Sequence, residues 1–70
     1  MEETGERKRH RLFGEIAVAE HFCTEEDVAE ALVRQHMTGR FLGAIMLEMG
    51  FLEVWQVERV VAIQKAEEFG

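Results

Sequence analysis

One feature limits what this chain can fold into more than any other: the sequence matches itself without a gap at an offset of 29, the step from Gly14 to Gly43. Gly14-Glu15-Ile16 falls on Gly43-Ala44-Ile45, Val18 on Leu47, and Phe22-Cys23 on Phe51-Leu52. Further on, Val28 falls on Val57, Ala31-Leu32 on Val60-Val61, and Gln35 on Gln64. Chance supplies apolar matches easily, but not an identical glycine at the front of both units and an identical glutamine at the back. A fixed period of this length marks one supersecondary unit used twice, neither copy covering its apolar face alone.

Each unit reads as a short helix, a turn and a longer helix. Val28, Ala31, Leu32 and Gln35 stand at i, i+3, i+4, i+7, a single helical stripe, and Val57, Val60, Val61 and Gln64 repeat it. Thr24 followed by Glu25, Glu26 and Asp27 is an N-cap signature: the hydroxyl accepts from a free N–H and the acids complement the positive helix end. Glu53 stands where Thr24 does, a poorer cap. Gly50 falls between the helices of the second unit, where a left-handed residue is expected, and its counterpart is His21. The spacing predicts short helices over about 12–20 and 41–49 and long ones over about 24–37 and 53–68, with no strand or hairpin signal. The expected class is all-α: two tandem helix-turn-helix hairpins, repeat 1 about 12–37 and repeat 2 about 41–68, packed together with pseudo-twofold similarity in one domain over 11–70.

A chain of this length buries about 60% of the surface it would expose unfolded, enough for one small domain and no deep, dry active site. One cysteine excludes an internal disulfide framework or a cysteine-rich zinc site. Residues 1–10, polar and without apolar periodicity, are expected to form a disordered charged tail that is not a secretory signal. Its basic run through Arg7, Lys8, Arg9, His10 and Arg11 suits either a solvated leader or contact with anionic lipid, nucleic acid or an acidic partner. From Leu12 onward the chain holds 11 acids and 4 bases, a net of −7. Such a body disfavours duplex nucleic acid, whose affinity is dominated by phosphate neutralisation, and so opposes a small helix-turn-helix DNA-binding reading. The chain is expected to be cytoplasmic and not an enzyme, since no nucleophile or oxyanion donors accompany His21, Glu20 or Glu30. No metal site is expected from His21, Cys23 and His36, and Cys23, aligned with Leu52, reads as a small core residue.

The pattern L/F-G-x-I-x-V/L-x-x-x-F, a capped turn, then V-x-x-A/V-L/V-x-x-Q resembles the N-terminal domain of type II secretion and type IV pilus assembly ATPases, over residues 12–64. That resemblance implies a bacterial regulatory or docking domain, recruited to the inner membrane through a partner of a secretion, pilus or motility system. No phosphate loop accompanies it, so the chain reads as an excised domain or a stand-alone relative. A subset of the family, the MshEN-type domains, binds cyclic di-GMP through both motif copies. Carried over position by position, the resemblance implies Phe13, Gly14, Val28, Leu32 and Gln35 in one copy and Leu42, Gly43, Val57, Val61 and Gln64 in the other. The family's arginine, two residues before each glycine, is replaced by Leu12 and Phe41, while Arg11 and Arg40 stand one residue earlier. Neither leucine nor phenylalanine offers the planar fork that a guanine edge or phosphate takes, so nucleotide binding requires Arg11 and Arg40 to swing into place.

The stretch 41–52 carries one charge in twelve residues. It is either the central helix or a docking face, and in the second case Phe41, Met46, Met49, Phe51 and Trp55 are the partner-binding candidates. Trp55 lies off the Val57/Val60/Val61 stripe, as either a contact residue or a local staple over Phe51. Gln35 and Gln64 continue apolar stripes, so each amide is expected at an inter-helix seam, bonded to backbone or to a ligand. Two expectations stand: a docking module, with a homodimer as one way to cover apolar surface, and a cyclic di-GMP receptor. Saturable nucleotide heat, lost in Arg11→Ala and Arg40→Ala, separates the second from the first.

Overall fold

Four helices form in the order α1 (Phe13–Ala19), α2 (Glu25–Thr38), α3 (Leu42–Glu48) and α4 (Val54–Phe69), and the described residues contain no strand. The computed structural model describes residues 11–69; the tail expected over 1–10 lies outside them. Every helix start falls within a residue of its expected place, and the class is all-α.

The local geometry of the first half recurs in the second. Where α1 ends, Glu20 N–H donates to Ile16 O, His21 N–H to Val18 O and Phe22 N–H to Ala17 O; Met49, Gly50 and Phe51 donate in the same way to Ile45, Leu47 and Met46. This is the double closure that satisfies a helix's last carbonyls through one left-handed residue. That residue is Gly50 at φ 81° in one turn and His21 at φ 65° in the other. A side chain at positive φ crowds the following carbonyl, at a cost of about 1–2 kcal/mol. His21→Gly is therefore expected to raise stability by about 0.5–1 kcal/mol, the balance left after glycine's greater chain entropy. A thermal melt by circular dichroism checks this, and an unchanged or lower midpoint would refute it.

At the next helix start, Thr24 closes a reciprocal cap: Asp27 N–H donates to its Oγ1 and Thr24 N–H donates to the Asp27 carboxylate, both at 3.1 Å. In the second half only one arm survives, Glu53 N–H donating to Gln56 Oε1 at 2.8 Å.

The packing is crossed. α1 lies chiefly against α4, and α3 against α2, so each short helix rests on the long helix of the other half. Phe13, Ile16, Ala17, Ala31, Leu42, Ile45, Met46, Leu52 and Val60 form the interior. All of these but Leu52 fall into pairs at equivalent positions of the two halves: Phe13 with Leu42, Ile16 with Ile45, Ala17 with Met46, and Ala31 with Val60. In the last two pairs alanine in the first half answers a larger side chain in the second, so bulk on one side fills space left by the other. Cys23 is half-buried against this core, and desolvation, then the Asp27 charge, pushes its thiol pKa up.

Candidate functional site

Two glutamine amides lock the crossed halves at the places where the short helices begin. Gln35 Nε2 donates to Arg40 O at 3.1 Å, and Gln64 Nε2 donates to Arg11 O at 3.3 Å. Each reaches from a long helix to the residue leading into the short helix of the other half. Both amides thus find their partners in backbone at the seam.

Beside these bonds lies a groove of about 350 Å³. Phe13, Gly14, Val28, Leu32, Gln35, Leu42 and Gln64, all implied by the family resemblance, line it together with Leu12, Glu15 and Phe41. Gly14 lets α1 approach α2 closely beside the groove: a Cβ there would stand 2.6 Å from Val28 Cγ1. Gly43 plays no matching part, because the Phe41 ring covers it, with Cε2 at 2.6 Å from where a Cβ would be. Phe41 holds that position edge-on to Phe13, ring centroids 5.5 Å apart and planes at 76°, a favoured aromatic arrangement. Val57 and Val61 pack against the core rather than lining the groove.

Neither arginine enters the groove. The Arg11 guanidinium and its backbone N–H bind the Glu67 carboxylate on α4. Arg40 grips Glu48 with both terminal nitrogens, Nη1 at 2.7 Å from Oε1. The hydrogen bonds push both guanidinium pKa values further up, and the one from Arg40 holds the Glu48 carboxyl below the usual carboxylate range. Because the folded value is the depressed one, what this pair contributes to stability is present above the ordinary glutamate pKa and lost as pH falls through the lowered one. An NMR titration of the Glu48 carboxyl carbon is expected to show a midpoint below that of an unstructured glutamate. Arg40→Ala should return it to the ordinary range, and a midpoint unmoved by that change would disprove the pairing in solution.

The docking face expected over 41–52 does not form one surface. Leu42, Gly43, Ile45 and Met46 are buried, so α3 is a central helix, and Met46 is wholly inside. What remains of its surface is polar or partly covered: Glu48 is exposed and Ala44 and Leu47 are half-buried. Phe41 reaches the groove mouth, 53% exposed, while Met49 and Phe51 are half-buried against the core. Trp55 packs on Phe22 rather than over Phe51, with centroids 5.3 Å apart, because α4 starts beside the end of α1. Its Nε1–H donates to Glu53 at 3.1 Å. Sequence reasoning missed Leu12 as a lining residue, although an apolar side chain in an arginine's place is itself the signal of an apolar mouth. The partners Glu48 and Glu67 carried no such signal.

No group of three or more metal-binding side chains occurs among the described residues, and none of the described helices is long and apolar enough to cross a membrane. Comparison with protein-family models, curated proteins and solved structures finds no match to the chain.

Proposed function

We propose that this protein is a non-catalytic docking module whose groove takes apolar side chains from an amphipathic segment of a partner protein. The observation that carries this reading is the groove's chemistry. Leu12, Leu32 and Phe41 stand 69%, 45% and 53% exposed at its mouth, and among the described residues Glu15 is the one charged residue lining it. A monomer gains nothing by leaving such side chains together in water, and apolar clusters rimmed by polar groups are where proteins meet. At its α1–α2 end the groove continues into a shallower hollow edged by Glu15 and Glu25. A matching segment therefore has a lysine or arginine beside its apolar residues. The motif resemblance adds the setting: a bacterial secretion, pilus or motility assembly, with recruitment towards the inner membrane through the partner.

The second reading, a cyclic di-GMP receptor, is favoured by the implied residues of both motif copies that share the groove. Against it stand the engaged Arg11 and Arg40 and the ring over Gly43, which leave a phosphate no cation in the lining among the described residues.

Two measurements decide. Calorimetric titration of the full chain with cyclic di-GMP is expected to give no heat at hundreds of micromolar. A photo-crosslinker at Leu32, in the native host, is expected to yield one protein adduct. A synthetic peptide from the crosslinked segment should then bind in a manner lost in Leu32→Glu. Saturable nucleotide heat that disappears in Arg11→Ala and Arg40→Ala would replace the docking reading with the receptor.

A further inference from the structure

The other flank of α2 has its own exposed apolar surface. This 14-residue helix buries only Ala31; Leu32 turns to the groove, while Val33 and Met37, one turn apart, are 60% and 77% exposed on the opposite side. With Ile45 and Met49 they line an open depression of about 830 Å³ between α2 and α3. The fold does not require these large side chains. At the equivalent positions of the repeat the α1–α4 face has Ala62 for Val33, Ala66 for Met37 and Glu20 for Met49, and packs in the same crossed manner.

The rim indicates what covers them. Two carboxylates, Glu30 and Glu48, and two guanidinium groups, Arg34 and Arg40, edge the depression, so it is neutral on a chain of formal charge −6. A cationic partner would find stronger attraction elsewhere on this surface. A rim with equal numbers of both signs is complementary to itself, and the overall repulsion between two copies is screened beyond about 8 Å at physiological salt.

We propose that the α2–α3 face is a homodimer interface, with α2 antiparallel to α2 of a second copy. A twofold axis at the level of Gln35 sets Val33 against Met37 of the second copy and carries Glu30 just past the end of α2 of the second copy, where Arg40 follows Gly39. Contacts of this kind are reciprocal, so each is made twice. Methionine suits such a seam because its unbranched, polarisable chain adapts to the facing surface. Glu48 then completes a carboxylate–guanidinium–carboxylate chain across the interface. The groove on the other flank stays open, so dimerisation and docking are separate properties.

Sedimentation velocity on the full chain from about 10 µM to about 1 mM, at physiological salt, tests this. The expected result is a monomer–dimer equilibrium, with a dissociation constant on the order of 10–100 µM, about 6 kcal/mol of association. Met37→Glu is expected to weaken it at least tenfold while leaving the helical circular dichroism intact, since the side chain is 77% exposed. Leu32→Glu, on the docking flank, is expected to leave it unchanged. A monomer at every concentration, a dimer indifferent to Met37→Glu, or one equally lost in Leu32→Glu would each overturn the proposal. None of these outcomes bears on nucleotide or peptide binding in the groove.

Discussion

Replacing Met46 with alanine is expected to lower the midpoint of thermal unfolding by about 10–30 °C. Met46 is 0% exposed, and its counterpart in the first half is Ala17, also 0% exposed. The methionine therefore supplies volume that the first half lacks, and truncation to alanine leaves small residues at both positions with nothing to fill the space. Large-to-small core changes of this type cost about 2–5 kcal/mol. A domain of this size has on the order of 4–10 kcal/mol in total, so the variant sits near the edge of folding. A circular dichroism melt reads the effect directly. A shift below about 5 °C would mean that the core collapses around the vacancy and that Ala17 and Met46 are not complementary. Met46→Leu, which conserves volume, is expected to cost less than about 1.5 kcal/mol.

Gly14→Ala is the second large effect. Alanine is the better helix former by up to about 1 kcal/mol, so propensity alone predicts stabilisation. Sterics oppose it: the added Cβ would meet Val28 Cγ1 at 2.6 Å, with Cγ2 and Cβ of the same residue at 3.5 and 3.6 Å. Valine in a helix keeps one χ1 rotamer, so Val28 cannot turn aside cheaply, and overpacking of this kind costs about 1–3 kcal/mol. The expected sum is a destabilisation of about 1–2 kcal/mol, with Val28 pushed aside in the groove wall. Gly43→Ala makes the contrast. Its Cβ would strike the edge of the Phe41 ring, which is 53% exposed, at 2.6 Å and meet the buried Phe13 ring at 3.1 Å; because the worst overlap is with an exposed side chain, the cost to stability should be smaller. Chemical denaturation of both variants gives the comparison, and equal losses would contradict this account of the two glycines.

Much of this fold is legible in the sequence because its signals are local. The stripes through Val28 and Val57 set the long helices, Thr24 and Asp27 mark a start, and Gly50 marks a stop whose geometry His21 must imitate. The groove is legible in part: the positions that continue the stripes, from Phe13 and Val28 to Gln64, do meet. What sequence could not supply was pairing at long range. The repeat period says that two units must cover each other, but not that α1 finds α4 and α3 finds α2. Arg11 meets Glu67 from the far end of the chain, and Trp55 meets Phe22 rather than its neighbour Phe51, for the same reason. The low charge over 41–52 was equally ambiguous, since a buried helix and a sticky one read alike until the tertiary partners are known.

The crossed arrangement also governs what happens when the covalent link is disturbed. The residues between α2 and α3 span only 39–41, yet they join two halves that embrace each other along their whole length. A nick in that link should leave a non-covalent complex with the original shape. Fragments prepared separately, each deprived of its main packing surface, should be largely unstructured alone and reconstitute the domain on mixing. Shortening the link so that it cannot turn back would favour reciprocal exchange of halves between two chains, a species that ordinary dilution would not separate.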